Sequence, residues 1–262
     1  MSPMKKEIIS ISTHGTIEIM RSPSSDPSPP VILLHGASGN AETWRTPLEQ
    51  AWSWADAWCP DLPGRGGSGD EPLATAEAVA DWLAAIANDA PWSSPAIFVG
   101  HSYGGAIALS LALRHPELVS GVVMVSSGSR LRVAPAILDA VAKSTPEAPF
   151  ALDFAFGEGC PSDLIEAYAS AASSTPPGAA LADWRACDCF DVRAQLPTLT
   201  TPLLVVHGDQ DKLTPPKYQR LLADAVSGSK IEEIEGPGHM LPWEDPESLS
   251  QVVEAWVRQR VL

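Results

Sequence analysis

The chain has 262 residues, 45% apolar and 19% charged, a globular balance that excludes disorder and a coiled coil. Acidic residues outnumber basic ones 32 to 17, a net charge of −15, so phosphate backbones and anionic lipid are repelled and neither nucleic acid nor membrane is an expected partner. No run approaches the roughly 20 apolar residues of a membrane span, and the start lacks the apolar core of a secretory signal, so the expected compartment is the cytoplasm.

In chain order, Glu7–Ser12 and Thr16–Met20 read as strands joined by a turn at His14-Gly15, and the Pro/Ser-rich Ser22–Pro30 as a surface loop. Short β-branched runs follow: Val31–Leu34 before His-Gly, Ala96–Val99 before Gly100, Gly121–Val125 before Ser-Ser-Gly, Leu203–Val206 before His-Gly-Asp, and a last strand at Lys230–Ile234. Runs without polar alternation suit strands buried on both faces. Helical patterns over Ala41–Ala55, Thr75–Asn88, Tyr103–His115, Pro216–Val226 and Pro246–Arg260 alternate with them, which predicts an α/β fold with a mostly parallel sheet. The Tyr103–His115 helix is apolar nearly all round and is expected to lie buried. Between Ser129 and Cys189 the alternation lapses into helical periodicity with several prolines, which predicts a helical insertion.

The sharpest local pattern is Gly100-His101-Ser102-Tyr103-Gly104-Gly105, a Gly-x-Ser-x-Gly set between a buried strand and a buried helix. A serine on so tight a turn leaves no room for side chains two residues to either side, which would strike the turn's own backbone. The helix N-terminus brings backbone N–H groups beside the serine oxygen. Serine needs a base. His101 adjoins Ser102 and its side chain should point elsewhere; His14 sits in a hairpin, His115 at the far end of a helix, and His35 and His207 at strand ends, where they brace loops. His239, in Gly236-Pro-Gly-His-Met after the last strand, can swing over the sheet edge that bears Ser102. The acid must orient that imidazole. Asp209 and Asp211 both lie at the right strand end, and no carboxylate follows the strand ending at Val125.

With the His35-Gly36 pair and Asp61-Leu-Pro-Gly-Arg-Gly-Gly-Ser, these motifs resemble the α/β-hydrolase superfamily over nearly the whole chain. The resemblance implies an eight-stranded, mostly parallel sheet, with core segments 1–128 and 190–262 and a helical cap, 129–189, inserted after the sixth strand. It implies a triad of Ser102, His239 and Asp211, the aspartate three residues after the glycine, with Asp209 left to the turn. It implies an oxyanion hole from the backbone N–H groups of Ala37 and Tyr103. The expected pocket lining is Ser38, Trp44, Phe154, Trp184, Leu213 and Met240, and Arg65 is expected to brace its own turn.

The cap is expected to set substrate range rather than chemistry. Its eight carboxylates, against Arg130, Arg132, Lys143 and Arg185, mildly disfavour large anionic substrates. The implied activity is that of a small bacterial-type carboxylesterase on small-molecule esters. Perhydrolases, haloperoxidases and lactonases share the triad, as do C–C bond hydrolases, which carry Asn where His101 stands; a receptor-like binding module is the non-enzymatic alternative. No metal or cofactor is expected, since the histidines lack ligand spacing and no dinucleotide Gly-x-Gly-x-x-Gly opens a helix. Cys59, Cys160, Cys187 and Cys189 are expected as reduced thiols.

Overall fold

Eight strands form one sheet in the order β1-β2-β4-β3-β5-β6-β7-β8. The computed structural model describes residues 4–11, 15–26, 28–69, 71–87 and 89–260, so the expected turn residue His14 lies outside it. β1 (Lys5–Ile11) and β2 (Gly15–Ser22) are antiparallel, and β2 meets β4 (Ala57–Pro60) antiparallel as well. β3 (Val31–Leu34), β5 (Ala96–His101), β6 (Val119–Val125), β7 (Leu203–Gly208) and β8 (Lys230–Ile234) then run parallel. Their carboxyl ends therefore share one edge of the sheet.

The central strands are apolar throughout because both faces are covered. Ile32, Leu34, Phe98, Val122 and Val205 belong to one core, which takes in α2 (Ala76–Ile86) and α3 (Tyr103–Arg114). Their neighbours Val31, Leu33, Ile97, Val123 and Val206 belong to the other, against α1 (Arg45–Ala51) and α9 (Pro246–Arg260). Each such side chain removed from water contributes about 1.5–3 kcal/mol. α3 is buried from Tyr103 to Ala112, as its all-round apolar surface predicts. The pattern over Ala41–Ala55 resolves into a 3-10 turn, Ala41–Trp44, and the short α1. Restarting the helix at Arg45 puts Pro47 in the first turn, where its missing N–H costs nothing.

Between β6 and β7 the chain forms α4 (Pro135–Ala142), α5 (Ser162–Ala172) and α6 (Pro177–Cys189) and adds no strand to the sheet. It leaves and returns side by side: Arg130 and Asp191 form an antiparallel bridge, and Val192 N–H donates to the Ser129 carbonyl at 2.9 Å. α7 (Pro216–Asp224) follows β7, and the short α8 (Leu241–Glu244) precedes α9. Among the described residues no helix is long and apolar enough to cross a membrane.

Candidate active site

β5 ends at His101 and α3 begins at Tyr103, so Ser102 must reverse the chain in a single residue. It does so at φ 52°, ψ −114°, a left-handed conformation that costs a non-glycine residue about 1–3 kcal/mol. Its N–H donates to the Val125 carbonyl at 2.9 Å, and its carbonyl accepts from Ser127 Oγ at 2.7 Å. A Cβ on Gly100 would overlap the Gly104 carbonyl, as the tight turn requires. One on Gly104 would instead overlap the Leu34 carbonyl at the end of β3. The second glycine thus serves a close approach of the first turn of α3 to the end of β3.

β7 and β8 bring two further side chains to the same edge. His239 Nε2 lies 2.9 Å from Ser102 Oγ, and its Nδ1 lies 3.1 Å from both carboxylate oxygens of Asp211. Asp211 is itself fixed, accepting from the N–H groups of Leu213 and Thr214 at 3.0 and 2.8 Å and from Thr214 Oγ1 at 2.6 Å. Burial works to raise its pKa, but the His239 charge and the hydrogen bonds from His239 and Thr214 outweigh it and hold the carboxyl below the ordinary aspartate range. Asp209 does not cap its own turn, as expected of it. It reaches across to accept the Gly236 N–H at 2.7 Å, which fastens the loop that carries His239.

The third part of the edge is the turn after β3. Gly39 N–H donates to the Gly36 carbonyl at 3.0 Å, and Ser38, third in that turn, has φ 63°. Such a turn ordinarily takes glycine at this position. Serine is held there by partners from α6: its N–H donates to Asp183 Oδ2 at 3.1 Å, and its hydroxyl accepts Trp184 Nε1–H at 2.9 Å. Gly36 lies against Ser102 closely enough that an added Cβ would sit 3.4 Å from the serine Cβ. Among the described residues neither Ala37 N–H nor Tyr103 N–H donates a hydrogen bond, so both are available to a developing oxyanion.

A cavity of about 570 Å³ opens over Ser102 and His239, with Leu131, Ile137, Trp184 and Leu213 among its walls. Trp184 and Leu213 are where the pocket reading put them. Four residues are not. Ser38 faces a second, smaller apolar cavity of about 100 Å³ between α5 and α6. Trp44 is buried in the core, its ring edge-on to Trp52 at 6.2 Å between centroids. Met240 packs with Phe156, Tyr168 and Trp243. Phe154 is 49% exposed and lines neither cavity, its ring lying edge-on to Phe150 at 6.1 Å between centroids. Whether a large side chain points into a cavity, into the core or outward is set by packing, which the letter alone does not carry.

Residues 31–252 match the alpha/beta hydrolase family. This chain belongs to that family. It is 31% identical over 219 residues to a pimeloyl-[acyl-carrier protein] methyl ester esterase of Vibrio vulnificus, 77% of this chain and 84% of that one. Among solved structures, a thermophilic esterase from Thermogutta terrifontis superimposes with a TM-score of 0.82 at 27% identity, over 98% of this chain and 100% of that one. The enol-lactonase of Burkholderia xenovorans LB400 also reaches 0.82, over 96% and 100%, and at 18% identity shows the shared fold. Esterases among both kinds of relative accord with a hydrolase of carboxylesterase type.

Three features of this alpha/beta hydrolase escaped the sequence reading. Arg65 does not brace its own turn; it forms two 2.8 Å bonds to Asp183 on α6 and a third, at 3.0 Å, to the Gly39 carbonyl. His101 donates from Nε2 to the His239 carbonyl at 2.9 Å, and burial, followed by the His239 charge, drops its pKa to about 3, so it stays neutral. The β6–β7 segment also grips the histidine loop, since His239 N–H donates to Ala155 at 2.8 Å and Glu244 bridges the N–H groups of Gly157 and Gly238.

Proposed function

We propose that this protein is a serine carboxylesterase that cleaves small carboxylic esters through an acyl-enzyme on Ser102. The observation that carries the reading is the unbroken hydrogen-bonded line from Ser102 Oγ through His239 to Asp211. Ser102 Oγ attacks the ester carbonyl carbon while His239 Nε2 takes its proton, and the carbonyl electron pair moves onto oxygen. The N–H groups of Ala37 and Tyr103 bind that oxyanion, aided by the N-terminus of α3. Collapse expels the alcohol, which leaves with the proton from His239. Water then repeats the sequence on the acyl-enzyme, releasing the acid and restoring the serine. Asp211 holds the imidazole with Nε2 as the acceptor and steadies the imidazolium.

On this reading residues 129–189 act as a cap over core segments 1–128 and 190–262, the enzyme works in the cytoplasm, and the chemistry requires no metal or cofactor. The test is multiple turnover on a p-nitrophenyl acetate-to-octanoate series, with an alkyl phosphonate as a stoichiometric label. Turnover with labelling confined to Ser102 is expected. Ligand-induced stabilisation without turnover would instead mark a binding module.

A further inference from the structure

The cavity over Ser102 has a charge opposite to that of the chain around it. Arg130, Arg132, Arg193 and Lys212 line it, and no described carboxylate does, although acidic residues outnumber basic ones 32 to 17 overall. The two walls contribute separately: three arginines come from the two sides of the β6–β7 neck, and Lys212 from the loop that bears Asp211.

Three of these cations have carboxylate partners outside the cavity lining. Arg193 is paired with Asp191 at 2.8 and 2.6 Å, Arg130 approaches the same carboxylate at 3.5 Å, and Lys212 meets Glu158 at 3.1 Å. Asp188 lies near but accepts the backbone N–H of Val133. Arg132 has no ion-pair partner among the described residues. The acidic composition of residues 129–189 was expected to disfavour anionic substrates. The structure turns the opposite charge toward the site: Arg130, Arg132 and Arg193 at the neck line the cavity, while Asp183 is committed to Arg65.

Unpartnered positive charge beside an apolar floor recognises a ligand that is itself anionic at one end. We infer that the preferred substrates are esters bearing a carboxylate or similar anion several bonds from the scissile carbonyl, with Arg132 as the principal contact. The inference rests on the proposed esterase reading and names its substrate class.

The probes are monomethyl adipate, with the anion in the acyl group, the acetate ester of 4-hydroxybutyrate, with the anion in the alcohol, and methyl hexanoate as the neutral comparison. At low salt, kcat/KM for at least one anionic ester should exceed the neutral value, and which one does so locates the anion. Arg132→Gln should lower that ratio roughly fivefold, about the most an exposed charge pair gives. Raising salt from about 0.02 to about 0.5 M, which shortens the screening length from roughly 20 to roughly 4 Å, should lower it as well. Neutral-ester preference in the wild type, or a ratio unmoved by Arg132→Gln, overturns the inference while leaving the esterase reading intact. Calorimetric binding of monomethyl adipate to the Ser102→Ala protein, weakened by adding Arg132→Gln, supports the inference independently of turnover. No binding there counts against it.

Discussion

Asp183 on α6 and Arg65 in the loop after β4 form a bidentate ion pair with both contacts at 2.8 Å and side chains only 4% and 2% exposed. The same carboxylate oxygen accepts the Ser38 N–H, and the same guanidinium nitrogen donates to the Gly39 carbonyl. The pair therefore fastens the turn that presents Ala37 N–H. A segment expected to choose substrates also maintains the geometry proposed for the oxyanion.

Asp183→Asn should accordingly lower kcat on every ester, by tenfold or more, without reordering chain-length preference. Leaving a buried guanidinium without its partner also costs about 3–5 kcal/mol of stability, to be read from a lowered melting temperature. Arg65→Lys, which keeps the charge but not the planar fork, should show the same uniform loss in milder form. A change in chain-length ranking with kcat preserved would mean the pair serves specificity alone.

Trp184 and Phe154 separate pocket from surface. Trp184→Ala removes a cavity wall and the Ser38 hydrogen bond, so it should shift relative kcat/KM across acyl lengths and lower kcat together. Phe154 is exposed and off the cavity, so Phe154→Ala should leave the ranking unchanged. A matched p-nitrophenyl ester series for the two variants checks both.

The aspartates two residues apart can be told apart by one substitution each. Asp211→Asn favours the wrong imidazole tautomer and should cost about 10⁴ in kcat near neutral pH. Asp209→Asn keeps an oxygen able to accept the Gly236 N–H and should cost far less. Ser102→Ala sets the scale, with an expected loss on the order of 10⁶. A Ser102→Ala protein retaining a tenth of the activity would exclude it as nucleophile.

His101 gives stability a measurable pH dependence. In the unfolded chain its imidazole takes up a proton near pH ~6.5, whereas in the fold it does so only at about 3. Between those limits the unfolded state binds the extra proton. The contribution is full above about 6.5 and is lost as pH falls toward 3. Urea midpoints measured down that range should fall, with His101 contributing one proton's worth of the slope beside buried His35, which is also held below the ordinary histidine range, and the His101 component should vanish in His101→Gln. In activity, kcat/KM should rise along a single-proton limb, because His101 remains uncharged there.

How much of this was legible depended on distance along the chain. Val31–Leu34 and Leu203–Val206 announce themselves as uninterrupted apolar runs, and Ser102 through the glycines around it. β4 does not: Ala57-Trp-Cys-Pro is four residues without a β-branched side chain, and its place comes from pairing with β2 and β3. The Arg65–Asp183 pair spans 118 residues and the His101–His239 bond spans 138, so neither leaves a local pattern.

The neck at Arg130 and Asp191, where the β6–β7 segment departs and rejoins at adjacent points, makes this portion of the chain transplantable in geometric terms. A foreign segment can be spliced there without moving a strand of the sheet. Its obligations include a carboxylate for Arg65 and a backbone acceptor for His239 N–H. Grafts that bring new walls but lack that carboxylate strand a cation in the interior and slacken the turn at Ser38. A chimera lacking these attachments needs compensating changes in the core before any new pocket is of use.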